Sequence, residues 1–155
     1  LTSGKINFHL EEVQLNDLLA EMILPYAEKH ITLEPSKIIV GIWDRGRLEQ
    51  IITNLLSNAI KYGEDKPISV SLNEAHGNVS IMVKDQGMGI KQEDLERIFE
   101  RFERAVQHNT ISGLGLGLWI THHIVAGMNG SIAVKSEVGS GTTFIVTLPL
   151  QQKEV

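Results

Sequence analysis

Two asparagines one helical turn apart, Asn54 and Asn58, are followed by Lys61 and Tyr62 in the run Asn54-Leu55-Leu56-Ser57-Asn58-Ala59-Ile60-Lys61-Tyr62. A carboxamide oxygen is a hard, neutral ligand of the kind that suits Mg²⁺. Lys61 stands one turn further on and can meet a phosphate as a point charge. Asparagine is a mediocre helix former because its amide competes for backbone hydrogen bonds. Two of them where glutamate and lysine would serve better call for a reason. The pattern is also that of an ordinary amphipathic helix with a solvated polar face. Leu48, Ile51, Ile52, Leu55, Leu56 and Ala59 share one side, and Gln50, Asn54, Asn58 and Lys61 the other.

Two glycine turns offer further chemistry. Asp85-Gln86-Gly87-Met88-Gly89 directly follows a predicted strand. Glycines two apart let the backbone take positive φ and approach a flat ligand. The aspartate can accept from an exocyclic amine such as that of adenine. A plain surface turn with an aspartate and two glycines reads the same way. Gly113-Leu114-Gly115-Leu116-Gly117-Leu118 runs straight into a predicted helix, presenting backbone N–H groups where an anion such as phosphate is favoured. The glycine spacing is not the dinucleotide fingerprint, and no G-x-x-x-x-G-K-[ST] run occurs, which excludes a P-loop.

The elements that must position these residues follow from hydrophobic period. Ile6 to Val13 reads as a strand and Leu15 to His30 as a helix kinked or divided at Pro25. Ile38 to Trp43 is a short apolar strand ending at Asp44, a good N-cap. The helix Arg47 to Tyr62 follows, with Gly63 as its expected C′ glycine. Pro67 to Asn73 and Val79 to Lys84 alternate, and His76-Gly77-Asn78 between them predicts an antiparallel hairpin. Glu93 to Phe102 and Leu116 to Met128 read as helices, and Ile132 to Val134 and Thr143 to Leu148 as a closing strand pair. Adjacent paired strands with interspersed helices predict an α+β chain. Its architecture is a two-layer α/β sandwich with a mixed, mostly antiparallel sheet and helices on one face.

Composition narrows the function. The chain of 155 residues is 42% hydrophobic, long enough for one core without staples. It has no cysteine, so disulfides, thiolate metal sites and thiol catalysis are excluded. A net charge of −5 argues against broad nucleic-acid or anionic-membrane binding, and no apolar run approaches a spanning helix. The start, Leu1-Thr2-Ser3-Gly4, is expected to be that of a piece cut from a longer chain.

Together these motifs resemble the catalytic, ATP-binding domain of bacterial sensor histidine kinases, in the ATPase superfamily of gyrase B, Hsp90 and MutL (the Bergerat fold). Asn54 to Tyr62 is similar to the N box, Asp85 to Gly89 to the G1 box, and Ile98-Phe99-Glu100-Arg101-Phe102-Glu103-Arg104 to the F box. Gly113 to Leu118 is similar to the G2 box, and Gly139-Ser140-Gly141-Thr142-Thr143-Phe144 to the closing glycine motif. Each box alone is a modest signal, but five occur in the family's order over nearly the whole chain.

The resemblance implies a single ATP-binding kinase domain over residues 1–155, with ATP and Mg²⁺ as cofactors. Asn58 is similar to the asparagine that coordinates Mg²⁺, and Asp85 to the aspartate that reads the adenine amino group. Tyr62 looks like the aromatic residue beside the adenine, and Lys61 like a phosphate contact. Arg104 occupies the position from which an arginine reaches the γ-phosphate. Gly87, Gly89, Gly113, Gly115, Leu116, Gly117, Leu118 and Thr142 complete the implied nucleotide-binding set, with a lid over residues 105–112. Where gyrase-like members carry a glutamate base, this chain has Asn54, and amides are poor bases. That disfavours water as acceptor and gives Asn54 its place, with Arg104, among the expected catalytic residues. Leu114 stands where the family often has threonine, a change expected to matter little.

The family's phosphoacceptor histidine lies on a separate dimerisation domain, an expected partner together with a response regulator. The isolated domain is expected to be a monomer, the parent a homodimer, and the domain cytoplasmic even if the parent is membrane-anchored. A degenerate nucleotide-binding or docking module, and an ATPase or serine kinase of the same superfamily, are the alternative readings. His30 and Pro35 imitate the acceptor's spacing, but Ile31 replaces the acidic residue. His122 and His123 point about 100° apart on a helix, which disfavours a shared metal. Trp43, Trp119, Phe99 and Phe102 read as structural.

Overall fold

The computed structural model of the chain describes residues 7–95 and 113–151. Strand β1 (Leu10–Gln14) leads into helix α1 (Leu15–Ile23), a 3-10 helix (Leu24–Lys29) and the short strand β2 (Ile31–Leu33). Next come β3 (Val40–Asp44), α2 (Arg45–Tyr62), β4 (Ile68–Ala75) and β5 (Asn78–Lys84). Among the described residues the chain ends with α3 (Gln92–Leu95), α4 (Gly113–Gly127), β6 (Ser131–Glu137) and β7 (Gly141–Pro149).

The main sheet has five strands in the order β2-β4-β5-β7-β6, and β1 pairs with β3 in a separate ribbon. Only β2 and β4 run parallel; the other pairings are antiparallel. Val70, Val79, Ile81, Val83, Phe144, Val146 and Leu148 turn from one face of the sheet into a core completed by Leu48, Ile51, Ile52, Leu55 and Leu56 of α2. The opposite face carries Ser69, Ser71, Ser80, Lys84 and Thr147, the polar complement of a half-buried antiparallel sheet. The predicted sandwich is therefore the observed one.

Several boundaries differ from the sequence reading, each for a local reason. The first strand begins at Leu10 rather than Ile6, with residues 1–6 outside those described. The helix expected to reach His30 gives way after Ile23 to a 3-10 turn, with Pro25 in its first turn and His30 left-handed at φ 53°. Strand β2 was not predicted: three residues are too few to show a period, and its pairing to β4 is what makes it a strand. Helix α4 starts at Gly113, three residues before the expected Leu116, so the alternating glycines form its opening turns rather than a loop before it. Helix α3 begins at Gln92, and residues 96–102 of the predicted helix lie outside the described residues.

Gly63 corrects the expected C′ role. Its φ is −84°, and the left-handed residues are Glu64 and Asp65. Glycine is required there because a Cβ would run into the Ala59 carbonyl. The hairpin turn is as expected, with His76 at φ 54° and Gly77 at φ 79°, the pairing of two positive φ values that suits a twisted ribbon.

Asp44 caps α2 by accepting from Arg47 N–H at 3.0 Å, and its other oxygen accepts from His9 N–H at 2.8 Å. Such a cap contributes about 1 kcal/mol. Trp43 is fully buried and donates its indole N–H to the Pro149 carbonyl at 2.8 Å, and Ile42 N–H reaches the Leu150 carbonyl at 2.8 Å. These bonds tie the ribbon, and with it the start of α2, to the end of the main sheet.

Candidate functional site

The predicted residues gather where β5 ends, the last turns of α2 pass, and β6 turns into β7. Asp85 follows β5 and is 4% exposed. Its N–H donates to the Thr142 carbonyl at 2.9 Å, while its Oδ1 accepts from Gly87 N–H at 2.9 Å and Thr142 N–H at 3.2 Å. One carboxylate oxygen is thus held by two backbone amides. Oδ2 has no hydrogen bond to the described residues. Burial pushes the Asp85 carboxyl above its ordinary 3.8, the Gly87 and Thr142 amides pull it down, and the Glu64 charge pushes up again.

Glycines hold this loop in place by close approach. A Cβ on Gly87 would overlap the Tyr62 carbonyl, and one on Gly141 (φ 90°) the Asp85 carbonyl. A Cβ on Gly89 (φ 75°) would meet the Glu137 carbonyl. The Asp85 loop is therefore clamped between the end of α2 and the β6–β7 turn, and Gly139 N–H donates to the Met88 carbonyl at 2.8 Å to close it.

On α2, Asn54 and Asn58 behave differently. Asn54 Nδ2 donates to the Gly117 carbonyl at 3.3 Å and to Thr121 Oγ1 at 3.2 Å. Thr121, fully buried, donates in turn to the Gly117 carbonyl at 2.9 Å. The Asn54 amide thus joins α2 to α4. Asn58 is 8% exposed, and its Nδ2 is buried without a partner among the described residues. An amide that the protein leaves unsatisfied fits a site whose ligand supplies the partner. Its neutral oxygen suits a Mg²⁺ ion that keeps most of its own waters and takes few protein ligands. Lys61 is exposed, with its Nζ 5.4 Å from the Tyr62 ring centre, and Tyr62 is half-buried beside it.

Other expected residues fall elsewhere. The Leu118 side chain is fully buried in the core, so any contact of this residue with a ligand is left to its backbone. Gly113, Gly115 and Leu116 lie in the opening turns of α4, Gly117 stands against Asn54, and the Leu116 side chain lies outside the described residues. Arg104, the rest of the F box and the expected lid also lie outside the described residues. His123 stacks on Trp119 with ring centres 5.1 Å apart and planes 7° from parallel. His30 caps the 3-10 helix, where its carbonyl accepts from Ile68 N–H at 3.0 Å.

Sequence reasoning missed Ser136 and Thr121. Ser136 Oγ accepts from Ile90 N–H at 2.7 Å, donates to the Gly141 carbonyl at 2.8 Å and lies 2.9 Å from Thr142 Oγ1. Its only sequence signal is the strand period that puts it on the same face as Ile132 and Val134. Thr121 carries the weaker signal of a polar residue in an apolar helix.

The family described as histidine kinase-, DNA gyrase B- and HSP90-like ATPase matches residues 43–152. The sensor-like histidine kinase SenX3 of Mycolicibacterium smegmatis is 43% identical over 68% of this chain and 28% of its own length. The sensor protein SrrB of Staphylococcus aureus is 38% identical over 88% of this chain and 22% of its own. The chain thus spans about a quarter of the length of these curated relatives. Full-length ShkA, solved in complex with AMPPNP, matches with TM-score 0.78 and 31% identity, over 97% of this chain and 33% of that one. The catalytic domain of the histidine kinase ThkA matches with TM-score 0.78 and 25% identity, over 94% of this chain and 100% of that one. The family match, the relatives and the fold agree: the chain belongs to the histidine kinase-, DNA gyrase B- and HSP90-like ATPase family, in the branch of the sensor histidine kinases.

Proposed function

We propose that this chain is the ATP-binding catalytic domain of a sensor histidine kinase. It binds Mg·ATP and delivers the γ-phosphate to a histidine on a separate dimerisation domain of the parent protein. The observation that carries the reading is Asp85, a buried carboxylate with one oxygen fixed by backbone amides and the other left for a donor. An adenine amino group is such a donor, and the AMPPNP-bound neighbour supports an adenine nucleotide.

Each of the chain's residues then has a task. Asp85 orients the base, with Gly87, Gly89 and Thr142 shaping its seat, and Tyr62 lines the side. Asn58 would hold Mg²⁺, which when bound supplies charge neutralisation between phosphates. Lys61 lies one turn from Asn58 to meet phosphate, and the opening turns of α4 (Gly113, Gly115, Leu116, Gly117) offer amides to anions. Arg104 is assigned to the γ-phosphate. Phosphoryl transfer needs positioning and electrostatics more than covalent help from the protein. Asn54 favours transfer over hydrolysis, because an amide whose nitrogen is bound to α4 is no base for water.

The test mixes this domain with the purified dimerisation domain of its parent and γ-labelled ATP. Acid-labile label on the partner's histidine is expected, lost in the Asp85→Asn variant. Nucleotide binding with no labelled histidine would defeat the transfer reading while leaving the binding site intact. The phosphorylated partner would then donate to an aspartate of a receiver domain, and the parent would act as a homodimer.

A further inference from the structure

The open face of the main sheet carries a rim of positive charge. Side chains alternate along a strand, so Lys84 is exposed at the end of β5 while Val83 and Asp85 on either side of it are buried. The strand register sets Ser69, Lys84, Thr143 and Lys135 in one row across β4, β5, β7 and β6. Beside this row lies a groove of about 500 Å³ lined by Lys66, Ser69, Lys84, Gln86, Gly139 and Ser140. No carboxylate among the described residues lines it. Lys66, Lys84 and Lys135 are exposed and form no ion pair with the described residues. Glu34 is engaged by the Ser69 hydroxyl at 3.3 Å. In a chain of net charge −5, such a rim is a local inversion of sign that attracts anionic groups.

The same two turns bring apolar surface next to the groove. Met88 is 59% and Val138 67% exposed. Met88 follows two residues after Gln86, Val138 directly precedes Gly139, and the bond from Gly139 N–H to the Met88 carbonyl at 2.8 Å joins the turns. A single exposed apolar residue is ordinary, but an apolar pair beside an unpaired cationic groove has the make-up of an interface with a polar rim. The close approaches at Gly89 and Gly141 already fix both turns, so docking there orders little backbone. We infer that this rim docks an acidic segment of a partner protein, whose carboxylates meet Lys66 and Lys84 and whose apolar side chains cover Met88 and Val138. Charge complementarity selects the partner, and the exposed apolar pair supplies the area that ion pairs at a surface do not. The inference goes beyond the nucleotide reading and does not rest on it, because Asp85 is buried behind the strand end that presents Lys84.

Panning a random peptide display library on the immobilised chain tests this. The selected peptides are expected to be rich in aspartate and glutamate with apolar residues between them. Their affinity, read by fluorescence anisotropy, is expected to fall about tenfold in the double variant Lys66→Glu, Lys84→Glu, the size of two exposed ion pairs. It is expected to fall also in Met88→Ser, Val138→Ser, and to weaken as salt is raised. The double variant Lys66→Gln, Lys84→Gln serves should the charge-reversed form fold badly, with a smaller loss in the same direction. Selection of no acidic peptides, or acidic peptides whose affinity either folded double variant leaves unchanged, overturns the inference. A single-stranded oligonucleotide that binds wild type as tightly and is lost in the lysine variants would assign the groove to phosphate and overturn it as well. Absence of Mg·ADP binding to wild type bears on the nucleotide reading alone.

Discussion

Asp85 and Thr142 grip one another twice: Asp85 N–H donates to the Thr142 carbonyl at 2.9 Å, and Thr142 N–H donates to Asp85 Oδ1 at 3.2 Å. The pair spans the end of β5 and the start of β7, so the same contact that ends the strand pairing also aims the carboxylate. The arrangement leaves Oδ2 without a partner among the described residues, at the cost of a carboxyl whose burial raises its pKa.

That raised pKa gives nucleotide binding a pH dependence. A donor at Oδ2 favours the carboxylate, so the bound state has the lower pKa. Affinity is full above the raised pKa of the empty domain and weakens as the pH falls through it. Titration with a fluorescent adenine nucleotide across this range should show the loss in wild type and not in Asp85→Asn. The same loss in both would assign it to another group. For stability of the empty domain the sign is opposite. The folded state binds the proton more tightly than the unfolded chain, so the Asp85 contribution is greatest at low pH and declines as pH rises through the folded pKa.

The two asparagines of α2 should separate stability from metal binding. Asn54→Ala removes the bonds to Gly117 and Thr121, a loss of about 1–2 kcal/mol in urea unfolding. Asn58→Ala removes an amide nitrogen that has no partner among the described residues, so little hydrogen bonding of the empty fold is lost with it. Its effect belongs in the Mg²⁺ dependence of nucleotide affinity, which should flatten. A destabilisation by Asn58→Ala larger than that of Asn54→Ala, with Mg²⁺ dependence retained, would reverse the assignment.

The glycine clamp is testable by contrast. Gly87→Ala forces a methyl into the Tyr62 carbonyl, a backbone obstacle that costs about 3 kcal/mol. Gly77→Ala meets nothing within 4 Å and is limited to its left-handed φ of 79°, about 1–2 kcal/mol. Thermal unfolding of the two variants should rank them in that order. Equal shifts would show that the loop yields easily.

Much of this site is legible in the sequence because its residues break local expectations. Asparagines sit where better helix formers belong, and Asp85 stands beside glycines in a turn. The sandwich is legible because Val79, Ile81 and Val83 or Phe144, Val146 and Leu148 alternate strictly. Strand β2 is not, because a three-residue parallel edge is defined by its partner Ile68 to Val70 and has too few residues to show a period. Ser136 is hidden for a related reason: its importance lies in the cross-strand register to Thr142, which no local pattern encodes. Gly63 looked like a left-handed cap, yet what fixes it is the Ala59 carbonyl against its α-carbon, a steric fact that spacing does not separate from a φ requirement.

The central claim, an adenine nucleotide seated on Asp85, is tested most directly by calorimetric titration of Mg·ADP into the wild-type chain and its Asp85→Asn variant. The account predicts saturable binding to wild type, weakened about ten- to a hundredfold by the substitution, the range for a hydrogen bond to a charged group. The variant should remain folded, since an amide oxygen can still accept from Gly87 and Thr142. Equal affinity in both would place the base elsewhere, and no binding to a folded wild-type chain would contradict the account.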